Sequence, residues 1–210
     1  ATPSYGPTAA SGTGGIFRVD AIDGGLLSFT NLTATVNDVF DPASAAEATT
    51  SRLQALGNGR IVVTGFAALD TSGDLLFDTA NGGRITGQAP PAAVTGSFYA
   101  TAAGQVLVNG DNLASAGLAG DLISLTSRDV ALNAGARVEA TTLSFSSIET
   151  TAEAVLGGTI EGPGYTLTQA ELDRVFAPTL LVSADDTANT AVDLLVRDVT
   201  RRGSLDPLGT

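Results

Sequence analysis

The sequence predicts an all-β chain whose strands stack as a right-handed parallel β-helix, with one or two short helical insertions or caps. Three observations carry this prediction. Apolar segments of strand length recur from Ile16 onward, separated by Gly, Asn and Asp. The hydrophobic content is 43% while aromatics are only 5%, so the interior is built from Val, Ile, Leu and Ala, which suit a thin, tightly stacked core. A triplet of small, polar and β-branched residues recurs at Gly59-Arg60-Ile61, Gly83-Arg84-Ile85, Ala136-Arg137-Val138 and Gly158-Thr159-Ile160. Its spacings are 24, 53 and 22 residues, and the long gap holds two turns of the chain. A period of roughly 20–25 residues is that of one solenoid coil, which makes about seven coils here. In such a coil Gly or Asn turns the corner at positive φ, and the β-branched residue points inward onto its counterpart in the coil below.

The elements follow in order. Residues 1–15 are mostly Pro, Gly, Ser, Thr and Ala and read as a flexible amino-terminal arm. Residues 16–200 form the β-helix domain and 201–210 a carboxyl-terminal tail. Strands are expected in 16–22, 26–36, 60–69, 74–79, 83–87, 97–101, 105–110, 122–127, 130–135, 137–149, 158–162, 179–184 and 192–199. Several of these alternate, as in Val130 and Leu132 or Leu143 and Phe145. Two stretches read as helices. One is 42–56, with Asp41 as N-cap, Pro42 in the first turn and Gly57 beyond its end. The other is 168–176, where Thr168 and Glu171 make a capping box and Pro178 stops the helix. Leu172, Val175 and Phe176 are its expected buried face. Both helices would cover an open end of the stack or leave it as a side excursion.

Composition excludes several chemistries. Cys, His, Met, Trp and Lys are absent, and all 10 cations are Arg against 22 acids, a net charge of -12. There is no disulfide framework, no Cys or His metal site and no Ser-His-Asp triad. There is no Schiff-base lysine and no P-loop. An acidic chain of this kind opposes nucleic acid, which needs a basic face. No apolar run reaches the ~20 residues of a membrane span, so no membrane insertion is expected. Abundant Thr, Ser, Asn, Asp and Gly without Lys match the texture of a bacterial surface protein, and a first residue of Ala1 suggests a processed product or a fragment.

The last 90 residues also carry a family resemblance. The run from Gly120 to Glu149 (GDLISLTSRDVALNAGARVEATTLSFSSIE) resembles the strand repeats of filamentous haemagglutinin-type exoproteins of bacteria. The run from Gly158 to Val199 resembles a recurrent segment of the same proteins, a Thr-x-Ala-Glu-Leu helix followed by a Thr-Leu strand. Thr168, Ala170, Glu171, Leu172, Thr179 and Leu180 carry that match. The resemblance implies a right-handed parallel β-helix, secreted by a two-partner route and acting as a surface adhesin or matrix fibre.

Four features are candidates for chemistry. Asp70, Asp74 and Asp78, the pair Asp185 and Asp186, and Glu149, Glu153 and Glu161 are carboxylates that glycoside chemistry would use if two converged; otherwise they form a solvated acidic surface. Asn109-Gly110-Asp111-Asn112 and Asp70-Thr71-Ser72-Gly73-Asp74 are oxygen-rich turns that Ca²⁺ could use, although neither fits an EF-hand and both are ordinary turn formers. Arg197, Arg201 and Arg202 are a basic cluster suited to an acidic neighbour or to a solubilising end. An uncapped solenoid end can stack head-to-tail on another copy. Tyr5, Tyr99 and Tyr165 are the only tyrosines, few for a glycan-binding module. The Thr residues do not appear in one register as ice binding would need.

The expected function is therefore non-enzymatic: an extracellular structural or adhesive protein of a bacterial surface, able to assemble into filaments. The expected partners are copies of itself or a cell-surface glycan or protein. No catalytic residue, metal or cofactor is assigned. The alternative is a polysaccharide lyase or hydrolase on the same scaffold.

Overall fold

A computed structural model of the chain describes residues 9–12, 16–36, 50–87, 96–111, 117–148, 154–159, 164–184 and 194–199. Its strands are β1 (Ala9–Gly12), β2 (Arg18–Ala21), β3 (Leu26–Val36), β4 (Thr50–Ala55), β5 (Arg60–Thr71), β6 (Asp74–Asp78), β7 (Arg84–Thr86), β8 (Ser97–Ala102) and β9 (Gln105–Asn109). They continue with β10 (Gly117–Ser127), β11 (Asp129–Leu132), β12 (Val138–Ser147), β13 (Ala154–Gly157), β14 (Thr166–Leu167), β15 (Val175–Phe176), β16 (Thr179–Ala184) and β17 (Leu194–Arg197). A single short helix, α1 (Gln169–Leu172), is present among the described residues. The chain is all-β, and every strand pair is parallel.

The strands form three sheets. The longest runs β1-β3-β5-β7-β10-β12-β15, with β8 between β5 and β10 and β16 beside β12. The second runs β11-β9-β6-β4-β2, and the third β14-β13-β17. From β2 to β12 the chain visits the second sheet and the long sheet in turn. Each visit lands beside the previous one, so equivalent residues stack. Leu27, Ile61, Ile85, Leu118, Val138 and Val175 form one inward column across the long sheet. A second column runs Leu32, Ala67, Phe98, Ile123, Leu143 and Leu180. Small Ala67 sits beside large Phe98, so side-chain volumes interlock from one pass to the next. The facing column of the second sheet is Val19, Leu53, Phe77, Val108 and Leu132. Together these residues make one continuous apolar cluster.

The turns that join the second sheet to the long sheet are sequence-encoded. Asp23 and Gly24, Gly57 and Asn58, and Asn81 and Gly82 all have positive φ at the two central positions, the type I′ geometry. Each turn closes with an N–H to carbonyl bond, Gly25 to Ile22 at 2.8 Å, Gly59 to Leu56 at 2.9 Å and Gly83 to Ala80 at 3.3 Å. The turns also stack, with Gly24 N–H donating to Gly57 and Asn58 N–H to Asn81. A Cβ on Gly83 would stand 1.7 Å from the Ala55 carbonyl oxygen, so that glycine is needed for close approach.

Several expectations are corrected. Over 42–56 the helix gives way to strand β4 at Thr50–Ala55, and 42–49 lie outside the described residues. Ser51, Leu53 and Ala55 point inward and Thr50, Arg52 and Gln54 outward, a period of two. Arg52 meets Asp20 at 2.9 Å and Gln54 donates to Asp78 at 2.9 Å, so cross-strand pairs override the helical propensity of this stretch. The helix expected over 168–176 is only α1. Its capping box forms as read, but Val175 and Phe176 leave it as β15, because Val175 fills the inward column beside Val138. The triplet at 158–160 does not supply that position; Gly158 and Thr159 form a bend and Ile160 lies outside the described residues. The 53-residue gap does hold two passes, and Gly117-Leu118 is the member between them. Within the expected amino-terminal arm, Ala9–Gly12 pair with Thr33–Val36 of β3.

Candidate functional site

Alternation leaves an outer face on the long sheet. Thr35, Asp70, Thr101, Thr126, Ser146 and Ser183 succeed one another there, strand by strand. Their spacing is that of the strands, roughly 4.8 Å. The Ser146 and Ser183 hydroxyls bond at 2.9 Å. The adjacent column is Thr33, Ala68, Tyr99, Ser124, Ser144 and Leu181. This register was not visible in the sequence, because loops of different lengths separate the Thr and Ser residues.

Two aromatic side chains interrupt this polar surface. Tyr99 is 45% exposed and Phe66 is 41% exposed. Phe66 lies opposite Ser97 and Tyr99 opposite Ala68, so the two rings are diagonal neighbours, about 7–8 Å apart at the backbone. A local irregularity sets Phe66. The register between β3 and β5 shifts after Phe29, giving β5 one extra residue before Asn31 and Phe66 meet. The Phe66 N–H donates to Asn31 Oδ1 at 3.1 Å. Gly65 makes room, since a Cβ there would lie 2.3 Å from the same oxygen. The result is an outer face with exposed rings for apolar stacking and hydroxyls plus the Asp70 carboxylate for hydrogen bonds.

A second feature closes the far edge of the five-stranded sheet. Strand β11 is its last strand, and its Leu132 peptide would be unpaired. Leu132 N–H donates to Glu171 Oε1 at 2.9 Å, and Arg174 Nη1 donates to the Leu132 carbonyl. Two side chains thus replace the missing strand. Glu171 is only 5% exposed, and its Oε2 also accepts from Thr168 N–H and Thr168 Oγ1, both at 2.9 Å. Asp129, on the same strand, accepts from Thr166 N–H at 3.1 Å and Gln105 Nε2 at 2.8 Å. Burial lifts its carboxyl above the ordinary range, and those donors offset part of the rise. Tyr165 is 1% exposed with its hydroxyl unpartnered. Burial and the charges of Asp129 and Glu171 push its phenol well up. A cleft of about 820 Å³ opens beside this cap, lined by Gln105, Asp129, Asn133, Thr168, Glu171 and Arg174 among others. Each carboxylate oxygen of Asp129 and Glu171 already accepts a hydrogen bond, so the arrangement is that of a clamp.

The acids singled out in the sequence do not converge. Asp74 and Asp78 share the outer side of β6 four residues apart, about 13 Å at strand rise, beyond either glycosidase spacing. Asp74 Oδ1 accepts Gln105 N–H at 2.8 Å, and Asp78 accepts Gln54. Asp70 stands on the long sheet instead. Asp185, Asp186, Glu149, Glu153 and Glu161 lie outside the described residues. In the oxygen-rich turns the oxygens serve the fold: Asp111 Oδ2 accepts Gly82 N–H at 2.6 Å, Asn109 Oδ1 accepts Asn133 Nδ2 at 2.5 Å, and Thr71 Oγ1 accepts Gly73 N–H at 3.2 Å. Among the described residues no group of three or more metal-ligating acids forms. Arg197 is exposed on β17, while Arg201, Arg202, Asn112 and Tyr5 are outside the described residues. Sequence reasoning missed Phe66, Asp129 and Arg174. Alternation around Phe66 and the Arg-Val pair at 174–175 were the available signals.

The fold and these surfaces define a protein of stacked parallel β-strands with a ladder-like outer face. Comparison of the chain with protein-family models, curated proteins and solved structures finds no match.

Proposed function

We propose that the successive passes wind as a right-handed parallel β-helix and that the chain is a secreted structural and adhesive element of a bacterial surface. The observation that carries the reading is the outer face of the long sheet, where exposed Phe66 and Tyr99 sit among the column Thr35, Asp70, Thr101, Thr126, Ser146 and Ser183. An array of hydroxyls with two apolar rings matches a glycan, whose C–H faces stack on rings while its hydroxyls bond side chains. The resemblance of 120–199 to filamentous haemagglutinin-type exoproteins supports the same reading. The role is non-enzymatic, in keeping with the fully engaged oxygens of Asp129 and Glu171.

The test is retention on immobilised bacterial and host-cell glycans. Wild-type chain is expected to be retained, and Phe66→Ala and Tyr99→Ala to lose retention while keeping the wild-type Tm. Equal retention of both variants removes this face from the function.

A specific observation also favours self-association. Strand β16 is the outermost strand of the long sheet beside β12, and its inward row Leu180, Val182 and Ala184 is only half-buried. Leu181, on its other face, is 53% exposed. A further strand layer from a second copy would cover that row. Electron microscopy of the purified chain at neutral pH is expected to show filaments with a subunit-sized repeat; discrete particles would refute the stacking.

A further inference from the structure

The cleft beside the α1 cap lies on the outer side of the five-stranded sheet, away from Phe66 and Tyr99. Its volume of about 820 Å³ falls within the roughly 300–1,000 Å³ of small-molecule sites. Ala131, which points outward from β11, is its floor. Gln105, Asp129 and Asn133 line it from the sheet. The α1 cap and the end of β13 add Thr159, Asp173 and Arg174, and the two are joined by Gln169 N–H donating to the Gly158 carbonyl at 2.9 Å.

Four of these polar groups are each held at one atom and offer another. Gln105 Nε2 donates to Asp129 at 2.8 Å, which leaves Gln105 Oε1 as an acceptor. Asn133 Nδ2 donates to Asn109 at 2.5 Å, which leaves Asn133 Oδ1. Asp173 Oδ1 accepts from Gln169 at 2.8 Å, which leaves Oδ2. Arg174 Nη1 donates to the Leu132 carbonyl, which leaves Nη2 and Nε as donors. Among the described residues these remaining atoms have no partner. Anchoring at one end fixes the other before a ligand arrives, which lowers the ordering cost of binding. Acceptors and donors set side by side suit hydroxyl groups, which donate and accept at once. The charges need no ion as ligand. Asp173 and Arg174 are of opposite sign, and the oxygens of Asp129 and Glu171 are engaged by Gln105, Thr166, Leu132 and Thr168. The apolar lining is small and aliphatic, from Ala131, Leu132, Ala134 and Ala170.

We propose that this cleft binds one unit of a neutral saccharide, whose hydroxyls pair with Gln105, Asn133, Asp173 and Arg174 and whose C–H face rests on Ala131. Leu107 and Leu76 continue the Ala131 column across β9 and β6, so further units of a chain would follow an apolar strip flanked on β9 by Gln105 and Asn109. No aromatic ring lines the cleft among the described residues, so the affinity is low. The site is separate from the outer face of the long sheet and stands whether or not that face binds a glycan.

The experiment follows the side-chain amide signals of the ¹⁵N-labelled whole chain by NMR. The chain carries Phe66→Ala and Tyr99→Ala, so failure here leaves the outer-face reading untouched. One arm adds the methyl pyranosides of glucose, galactose and mannose, and the second adds cellotetraose, galactotetraose and mannotetraose. A third adds glucosamine and glucuronate. Saturable shifts by at least one neutral sugar are expected at Gln105 and Asn133, with Gln54 of the same sheet unmoved. Equal affinity for glycoside and tetrasaccharide assigns a free sugar; tighter tetrasaccharide binding assigns the end of a chain. Ala131→Leu fills the floor, breaks no hydrogen bond and extends the Leu76 and Leu107 column, so it should keep the wild-type Tm and weaken binding about tenfold or more. Absence of saturation in both neutral arms, or tighter binding of glucosamine or glucuronate, overturns the proposal. So does unchanged affinity in Ala131→Leu.

Discussion

Replacing Glu171 tests whether side chains end the five-stranded sheet. Its carboxylate accepts three hydrogen bonds, from Leu132 N–H, Thr168 N–H and Thr168 Oγ1, all at 2.9 Å. Hydrogen bonds to a buried charged acceptor contribute about 1.5–3 kcal/mol each, and an orphaned buried donor costs about 1–3 kcal/mol. Glu171→Gln keeps one acceptor oxygen but turns an NH₂ group toward either Leu132 N–H or Thr168 N–H. One bond is lost and two donors face each other, for a net cost of about 2 kcal/mol. Glu171→Ala removes all three acceptors and costs about 4 kcal/mol. In a stack of nearest-neighbour contacts the loss is felt locally. Hydrogen exchange of the Leu132 and Thr168 amides is the direct assay: Glu171→Gln should speed one of the two, whichever the NH₂ group faces, about 30-fold, the equivalent of 2 kcal/mol. Urea unfolding followed by circular dichroism should rank wild type above Glu171→Gln above Glu171→Ala. Exchange at Leu132 within twofold of wild type in Glu171→Ala would refute the strand-replacement argument.

Other outcomes follow from the same geometry. Gly83→Ala places a Cβ 1.7 Å from the Ala55 oxygen and should destabilise by about 3 kcal/mol. Gly24→Ala, at φ +76 with nothing within 4 Å, should cost only about 1 kcal/mol, so urea midpoints that rank the two the other way contradict the stacked-turn geometry. Asp129 holds its proton more tightly when folded than its ordinary value of 3.8. Its favourable contribution is therefore complete below that value and is lost as pH rises through the raised one. The stability of wild type relative to Asp129→Asn should fall over that window in pH-dependent unfolding. Tyr165 should retain its proton above pH 10, its ordinary value, until the chain unfolds, which ultraviolet titration detects as a late phenolate step. Tyr165→Phe should abolish that step and, by removing an unpartnered buried hydroxyl, stabilise by about 1 kcal/mol.

Local signals reached some elements of this protein directly. The Thr168 capping box with Glu171 could be read from four residues, because a cap needs only its own turn. Strand β3 was legible over its whole length, and of the Asn-Gly pairs at 58–59, 81–82 and 109–110 the first two marked corners at positive φ while the third did not. The triplets at 59–61, 83–85 and 136–138 do stack, since a β-branched residue after a small corner residue belongs on the inner column. Thr50–Ala55 was misread because Arg, Gln and Leu favour a helix locally. The strand is decided by Asp20 and Asp78, 32 and 24 residues away.

By itself the sequence determined the all-β character, the small aliphatic interior and the corners, because these depend on side-chain size, β-branching and φ at single positions. Tertiary structure alone decided which outward-facing residues became neighbours. The hydroxyl column from Thr35 to Ser183 and the diagonal of Phe66 and Tyr99 both arise from parallel register between strands. That register depends on how many residues each loop spends between passes. Loop length changes from pass to pass without altering the pattern within a strand, so a one-dimensional reading shows the strands but not which of their residues meet.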